Sequence, residues 1–241
     1  MKMKAEAIAQ ALRKTALFET LSDEQALELG KRARLMHLER GQMLFVAGDA
    51  PIGMYVIVTG SLRATRESIE GREQVIHVDR AGASIAEVPM FDEEAYPSSV
   101  TADENSTVLF IARADVRAAC MEHPEVAMAA LKLLAKRLRG CAALVESLSL
   151  QDVDRRLALF IQTLSKDSGK IEAHRVAFEL SLTHQQIAAR IGSVREVVSR
   201  AMGRLQKNGW IEVSGTRIVI QNPTSFNDYI RGKIKRPVSE V

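Results

Sequence analysis

At 241 residues the chain can build one large domain or two modest ones, and its 46% hydrophobic and 26% charged residues are globular usage, not that of a disordered or collagen-like chain. No apolar run approaches the ~18 residues of a membrane span, Met1-Lys2-Met3-Lys4 leads into no signal-peptide core, and two cysteines build neither a disulfide framework nor a four-thiolate metal cluster; a soluble, cytoplasmic protein with no membrane partner is expected. The net charge of +3 is unevenly spread: residues 1–150 carry 18 Lys and Arg against 21 Asp and Glu, and residues 151–241 carry 15 against 9, so the basic C-terminal part points toward a polyanion.

The chain opens with helices. Ala5, Ile8, Ala9 and Leu12 recur at helical spacing, and Ser22-Asp23-Glu24-Gln25 is a capping box. From about residue 37 short apolar strands such as Met43–Val46 and Met54–Val58 alternate with glycines, and Gly60, Gly71 and Gly82 stand 11 residues apart, the rhythm of successive hairpins. Further strands are expected at Val75–Val78 and Val108–Ala112, which closes a small antiparallel β-roll over 37–113. One long helix is expected over 114–149. Its Leu131, Leu134, Leu138, Cys141, Val145 and Leu148 are spaced 3-4-3-4-3, the a/d rhythm of a two-helix seam. Since the chain has no second heptad run of similar length, that stripe predicts a parallel homodimer. Cys141 at a d position reads as a small hydrophobe filling the seam or, alternatively, as one half of a redox-sensitive pair across the dimer axis.

After Leu150 another amphipathic helix runs through Val153, Leu157, Phe160, Ile161 and Leu164, and Lys166–Lys170 forms a loop. Thr183-His184-Gln185-Gln186 is a capping box that opens a helix ended by Gly192; Ser193-Val194-Arg195-Glu196 reads as a second box opening a helix to about Asn208. Two helices joined through a glycine, with Ile187, Ile191, Val198, Ala201 and Leu205 facing inward, make a helix-turn-helix, and the strands Trp210–Val213 and Arg217–Ile220 make a wing. Arg195, Glu196, Ser199 and Arg200 emerge together near the start of the second helix, where a recognition helix meets base edges. Arginine donates two hydrogen bonds to guanine, and glutamate accepts from the cytosine amino group.

In this order of elements the chain resembles the cyclic-AMP receptor protein/fumarate-nitrate regulator (CRP/FNR) superfamily of bacterial transcription factors. The resemblance spans about residues 15–222 and is sharpest at Gly41…Gly48…Met54–Gly60, at Gly82–Phe91 and from Gln186-Ile187-Ala188 through Arg200. It implies an α+β fold: an N-terminal antiparallel β-roll of the cyclic-nucleotide-binding type, a long dimerisation helix and a C-terminal winged helix-turn-helix. The expected divisions are 1–113 for the sensor, 114–149 for the dimer helix, 150–222 for the DNA-binding domain and 223–241 for a tail, where Phe226, Tyr229 and Ile230 signal a short helix. By resemblance Arg195, Glu196, Ser199 and Arg200 read bases, Thr183, Gln185 and, on the wing, Arg217 hold phosphates, and RNA polymerase is a partner. Glu196-Val197-Val198-Ser199-Arg200 follows the fumarate-nitrate branch and Arg195 the cyclic-AMP branch, which leaves TTGA-like and TGTGA-like half-sites both open.

The resemblance also places an effector pocket at Ile85, Glu87, Val88, Tyr96, Pro97, Ser98, Ser99 and Cys141, with Glu87 where the cyclic-AMP branch holds the ribose. That branch neutralises the cyclic phosphate with an Arg-Ser pair; here Tyr96-Pro97-Ser98-Ser99 offers no cation, and Cys141-Ala142 stands where Thr-Ser meets adenine. A buried phosphate without a cationic partner is expensive, so cyclic AMP is not expected. An iron–sulfur cluster is not expected either, since no cysteine precedes Cys120. Haem stays open through His77, one of five histidines, whose bland reading is a surface or hydrogen-bonded strand residue. Enzyme chemistry of the cupin kind needs a His-x-His pair, which the chain lacks, so no metal site and no catalytic residue is assigned. The other alternative is a cyclic-nucleotide-binding signalling module without DNA-binding activity.

Overall fold

The computed structural model describes residues 3–172 and 175–235; His174, expected at the end of an element, and the last six residues of the tail lie outside them. The described residues divide between two compact units, Met1–Ala142 and Ala143–Val241.

The first unit opens with α1 (Ala5–Arg13) and α2 (Asp23–Arg32). Ser22 caps α2 as its sequence announces, its hydroxyl accepting from the Gln25 N–H while the Gln25 side chain accepts from the Ser22 N–H. The strands are β1 (Arg34–Leu38), β2 (Met43–Phe45), β3 (Gly53–Thr59), β4 (Ser61–Glu67), β5 (Glu73–Arg80) and β6 (Ser84–Ile85), then β7 (Ser99–Ala102) and β8 (Ser106–Ala112) after the short helix α3 (Pro89–Asp92). They form two four-stranded antiparallel sheets, β1-β8-β3-β6 and β2-β7-β4-β5, which is the expected roll. The period-2 rule places Tyr55 and Ile57 in a core with Leu62, Ala64, Val100 and Val108, while Met54 and Val56 face a second core made with α1 and α2 around Leu12 and Phe18. Because β3 is apolar on both faces, the helices and the second sheet can both pack on it. Gly60 turns β3 into β4 at φ +87°, and a Cβ there would stand 2.2 Å from the Ser106 Oγ, so no other residue fits.

The single helix expected over 114–149 is two helices, α4 (Arg113–Glu122) and α5 (Pro124–Leu150). Proline has no N–H to donate and its ring disfavours helix at the residue before it, so His123 leaves the helical region at φ −130°, ψ 87° and Pro124 starts the next helix.

The second unit contains α6 (Val153–Ser168), β9 (Lys170–Glu172), β10 (Arg175–Glu179), α7 (His184–Ile191), α8 (Arg195–Lys207), β11 (Ile211–Ser214), β12 (Arg217–Ile220) and α9 (Pro223–Ile230). The wing hairpin β11–β12 is extended by β10 and β9 into one antiparallel sheet, and α9 appears where Phe226, Tyr229 and Ile230 signal it. Its core joins Leu157 and Ile161 of α6 to Ile187, Val198, Leu205, Trp210, Ile218 and Phe226. No helix among the described residues is long and apolar enough to cross a membrane.

Candidate nucleic-acid interface and effector pocket

The helix-turn-helix is held at three points. Thr183 caps α7 through the expected reciprocal box, its hydroxyl accepting from the Gln186 N–H at 3.2 Å and its own N–H donating to the Gln186 side chain at 2.9 Å. Gly192 ends α7 in the left-handed region at φ 65°, and the Ser193 N–H returns to the Ala188 carbonyl at 3.0 Å. Arg156 of α6 donates to the carbonyls of Ile191 and Gly192 at 2.8 and 3.1 Å, a cation at the negative end of α7.

The second expected capping box does not form. Val194 is the N-cap of α8 and makes no side-chain cap bond; Ser193 is buried, its N–H spent on the turn. Packing outweighs capping here: α8 starts where Val198, Ala201, Met202 and Leu205 reach the core. With about 100° per residue, those four occupy one side of α8, and Arg195, Glu196, Ser199 and Arg200 lie on the other, all exposed. Arg204, further along the same helix, is turned aside; its guanidinium grips Asp154 of α6 with two bonds of 2.7 and 2.5 Å. Of the expected phosphate contacts, Gln185 is exposed in the first turn of α7, Thr183 is exposed at its cap, and Arg217 is exposed at the start of β12.

On α5 the a/d stripe lies open in the single chain: Leu131 is 59%, Leu138 72%, Val145 63% and Leu148 37% exposed, Cys141 is exposed, and Leu134 is half-buried.

The roll's pocket gathers Ile85, Glu87, Val88, Tyr96, Pro97 and Ser98 of the expected set, with Phe45, His77 and Arg137. Ser99 is turned elsewhere, its hydroxyl accepting from the Ala47 N–H at 3.0 Å, and Cys141 lies outside the lining. The cavity is about 50 Å³, far below the ~300 Å³ at which ligand pockets begin. Phe45 and Tyr96 stack at 4.0 Å, and the Tyr96 hydroxyl donates to the Gly53 carbonyl and accepts from the Ile52 N–H. His77 lines the pocket with its side chain still 34% exposed, and holds Asp79 through Nε2 at 3.1 Å.

Reading Tyr96–Ser99 alone misses a cation at this site, because it comes from α5. Arg137 Nη2 donates to the Ser84 carbonyl at 2.8 Å and to Asp79 and Glu87 at 3.2 Å each. Burial alone would raise the pKa of Asp79, but the His77 hydrogen bond and the Arg137 charge outweigh it and hold the carboxylate below its usual range. Burial likewise opposes the Arg137 charge, and Glu87 and Asp79 overcome it. No sequence period connects position 137 to position 87; locally Arg137 is one of three cations in the run Lys136-Arg137-Leu138-Arg139, and nothing in that run sets it apart. No group of three or more His, Cys, Asp or Glu able to hold a metal occurs among the described residues.

Comparison with known proteins agrees with this architecture. Residues 35–123 match the cyclic nucleotide-binding domain model, and residues 155–229 match the Crp-like helix-turn-helix domain. The chain is 25% identical over 213 residues to a CRP-like cAMP-activated global transcriptional regulator of Mycobacterium tuberculosis, covering 88% of this chain and 95% of that one. It is 28% identical over 185 residues to the fumarate and nitrate reduction regulatory protein of Escherichia coli, covering 77% and 74%. A solved transcriptional regulator of the CRP/FNR family from Thermus thermophilus shares the fold with a TM-score of 0.67 at 20% identity, over 85% of this chain and 100% of that one.

Proposed function

Because the chain belongs to the CRP/FNR superfamily of transcription regulators, we propose that it works as a cytoplasmic homodimer that binds a palindromic DNA site and controls transcription there, with RNA polymerase as its partner. The observation that carries this reading is the exposed row Arg195, Glu196, Ser199 and Arg200 on α8, set by a capped and glycine-ended α7 and flanked by a wing. Donors and acceptors for base edges stand together on one helix, and Gln185, Thr183 and Arg217 flank them for phosphates. The relatives are regulators, not enzymes, and the helix-turn-helix disfavours a signalling module without DNA.

For the roll we propose an effector other than cyclic AMP, a small molecule or a redox or gas signal. The Mycobacterium relative is cAMP-activated by name, but the Tyr96–Ser99 stretch here has no cation and the cavity is small. A gel shift at fixed salt tests the DNA reading: a palindromic TTGA-like or TGTGA-like duplex should bind roughly 10³-fold or more tighter than a scrambled one. Equal affinities would rule it out.

The dimer reading rests on the open a/d stripe of α5, whose aliphatic residues need a cover. In a parallel dimer Cys141 faces its own copy. Mild oxidation is therefore expected to give a covalent dimer that dithiothreitol reverses and that Cys141→Ser cannot form, read on non-reducing gels. Failure of the wild-type protein to cross-link would favour Cys141 as a small hydrophobe that fills the seam. Gln185→Ala is the cleaner phosphate probe, because Thr183→Ala also removes a cap worth ~1 kcal/mol of stability. It should weaken matched and mismatched duplexes by the same factor, and a sequence-dependent loss would make Gln185 a base reader.

A further inference from the structure

We propose that Val194 is a further specificity residue of the DNA-reading face: its side chain packs on the C5 methyl of a thymine when α8 enters the major groove. The inference deepens the proposed function and rests on it, since it adds one contact to the same face. Val194 is the N-cap of α8, in extended backbone at φ −122° and ψ 156°. That position favours Ser, Thr, Asp or Asn, whose side-chain oxygen accepts an N–H of the first turn, and valine is among the least favoured residues there. The neighbouring helices keep the rule. Asp152 caps α6 by accepting from the Arg155 N–H, Thr183 caps α7 by accepting from Gln186, and Asn222 caps α9 by accepting from Ser225. Val194 makes no cap bond, and the serine before it is buried in the turn.

Burial of Val194 does not compensate for the missing cap. Its side chain stays 42% exposed, and the core of this unit takes Val198, Ala201, Met202 and Leu205 from α8 without it. It stands instead at the head of the exposed row, followed directly by Arg195 and Glu196. A local rule broken at a functional face points to what that face meets. In the major groove the base pairs offer donors, acceptors and one apolar group, the thymine methyl. Arg195, Glu196, Ser199 and Arg200 can all answer the polar groups. Val194, whose side chain neither donates nor accepts, can answer only the methyl. Its branched Cβ suits the task, because few rotamers are open to it and little freedom is lost on contact.

The test replaces thymidine by deoxyuridine, one position at a time, in palindromic TTGA-like and TGTGA-like duplexes. Affinity of the full-length protein is read by fluorescence anisotropy at fixed salt. Uracil pairs with adenine as thymine does and lacks only the methyl. The wild-type protein should lose about fourfold per half-site at one thymine, the worth of one buried carbon, and nothing at the others. Val194→Ser should bind the two duplexes alike at that position, and Val194→Thr, which keeps one branch methyl, should retain part of the ratio. Both variants should melt no lower than the wild type, because each offers α8 the missing cap. Val194→Ala removes both branch methyls and reads the same ratio should Val194→Ser bind no duplex. The proposal is overturned by a wild-type ratio of one at every thymine, or by a ratio that the Ser and Ala variants preserve. A melting temperature lowered in Val194→Ser as for a core residue also overturns it, because Val194 would then be a packing residue. If the DNA reading itself fails, the wild-type protein will hold palindromic and scrambled duplexes equally; failure of this inference alone leaves the palindrome preferred and its methyls unread.

Discussion

Replacing Leu134 and Leu138 by glutamate is expected to make the protein monomeric in sedimentation and to reduce its affinity for a palindrome to that for a single half-site. Leu138 is 72% exposed in the single chain, and Leu134 only half-buried, so neither substitution opens the core of a unit. What they remove is burial across the seam. Each leucine covered there contributes roughly 1.5–3 kcal/mol, and a two-fold dimer contains two copies of each. The glutamates would also stand against their own copies, where like charges oppose association. At 1.4 kcal/mol per tenfold, the dimer constant falls by several orders of magnitude. A variant that sediments as a dimer would remove this face of α5 from the interface.

Arg200→Ala is expected to cost ~1–3 kcal/mol at the matched site and much less at a duplex already mismatched under it, which relaxes preference at that base pair. Arg200 lies in the second turn of α8 on the exposed side, with Glu196 one turn before it. The expectation under test is that Arg200 takes a guanine of the shared GA core and Glu196 the opposite-strand cytosine. Arg204 supplies the internal control: it is on the same helix, but its guanidinium is held by Asp154, so Arg204→Ala should leave base preference unaltered. An equal loss on matched and mismatched duplexes for Arg200→Ala would make Arg200 a phosphate contact and displace the reading face.

The parts of this fold that were legible in the sequence are those governed by local rules. Gly60, Gly71 and Gly82 mark turns because each adopts positive φ, and Thr183 and Ser22 cap helices through boxes three residues long. The helix-turn-helix followed from inward positions that one helical period links. Where local signals competed, the reading slipped. The apolar residues on both sides of Pro124 suggest one helix, but the backbone at His123 obeys the proline. Ser193-Val194-Arg195-Glu196 spells a cap, but core packing starts α8 one residue later and leaves the serine in the turn. The loop expected at Lys166–Lys170 is instead the end of α6 and the start of β9; Lys170–Glu172 is too short to announce a strand, and β10 draws its stability from pairing with β12, far along the chain. Arg137 was invisible for the same reason: its partners at 79, 84 and 87 lie some fifty residues away, and only the folded roll brings them to it.

Selection of bound duplexes from a random pool by the wild-type protein, at fixed salt, tests the central claim most directly. The account predicts enrichment of inverted repeats whose half-sites contain a GA core and lie about one helical turn, ~34 Å, apart, with two chains on each duplex. Enrichment of single half-sites, or of no common sequence, would contradict it.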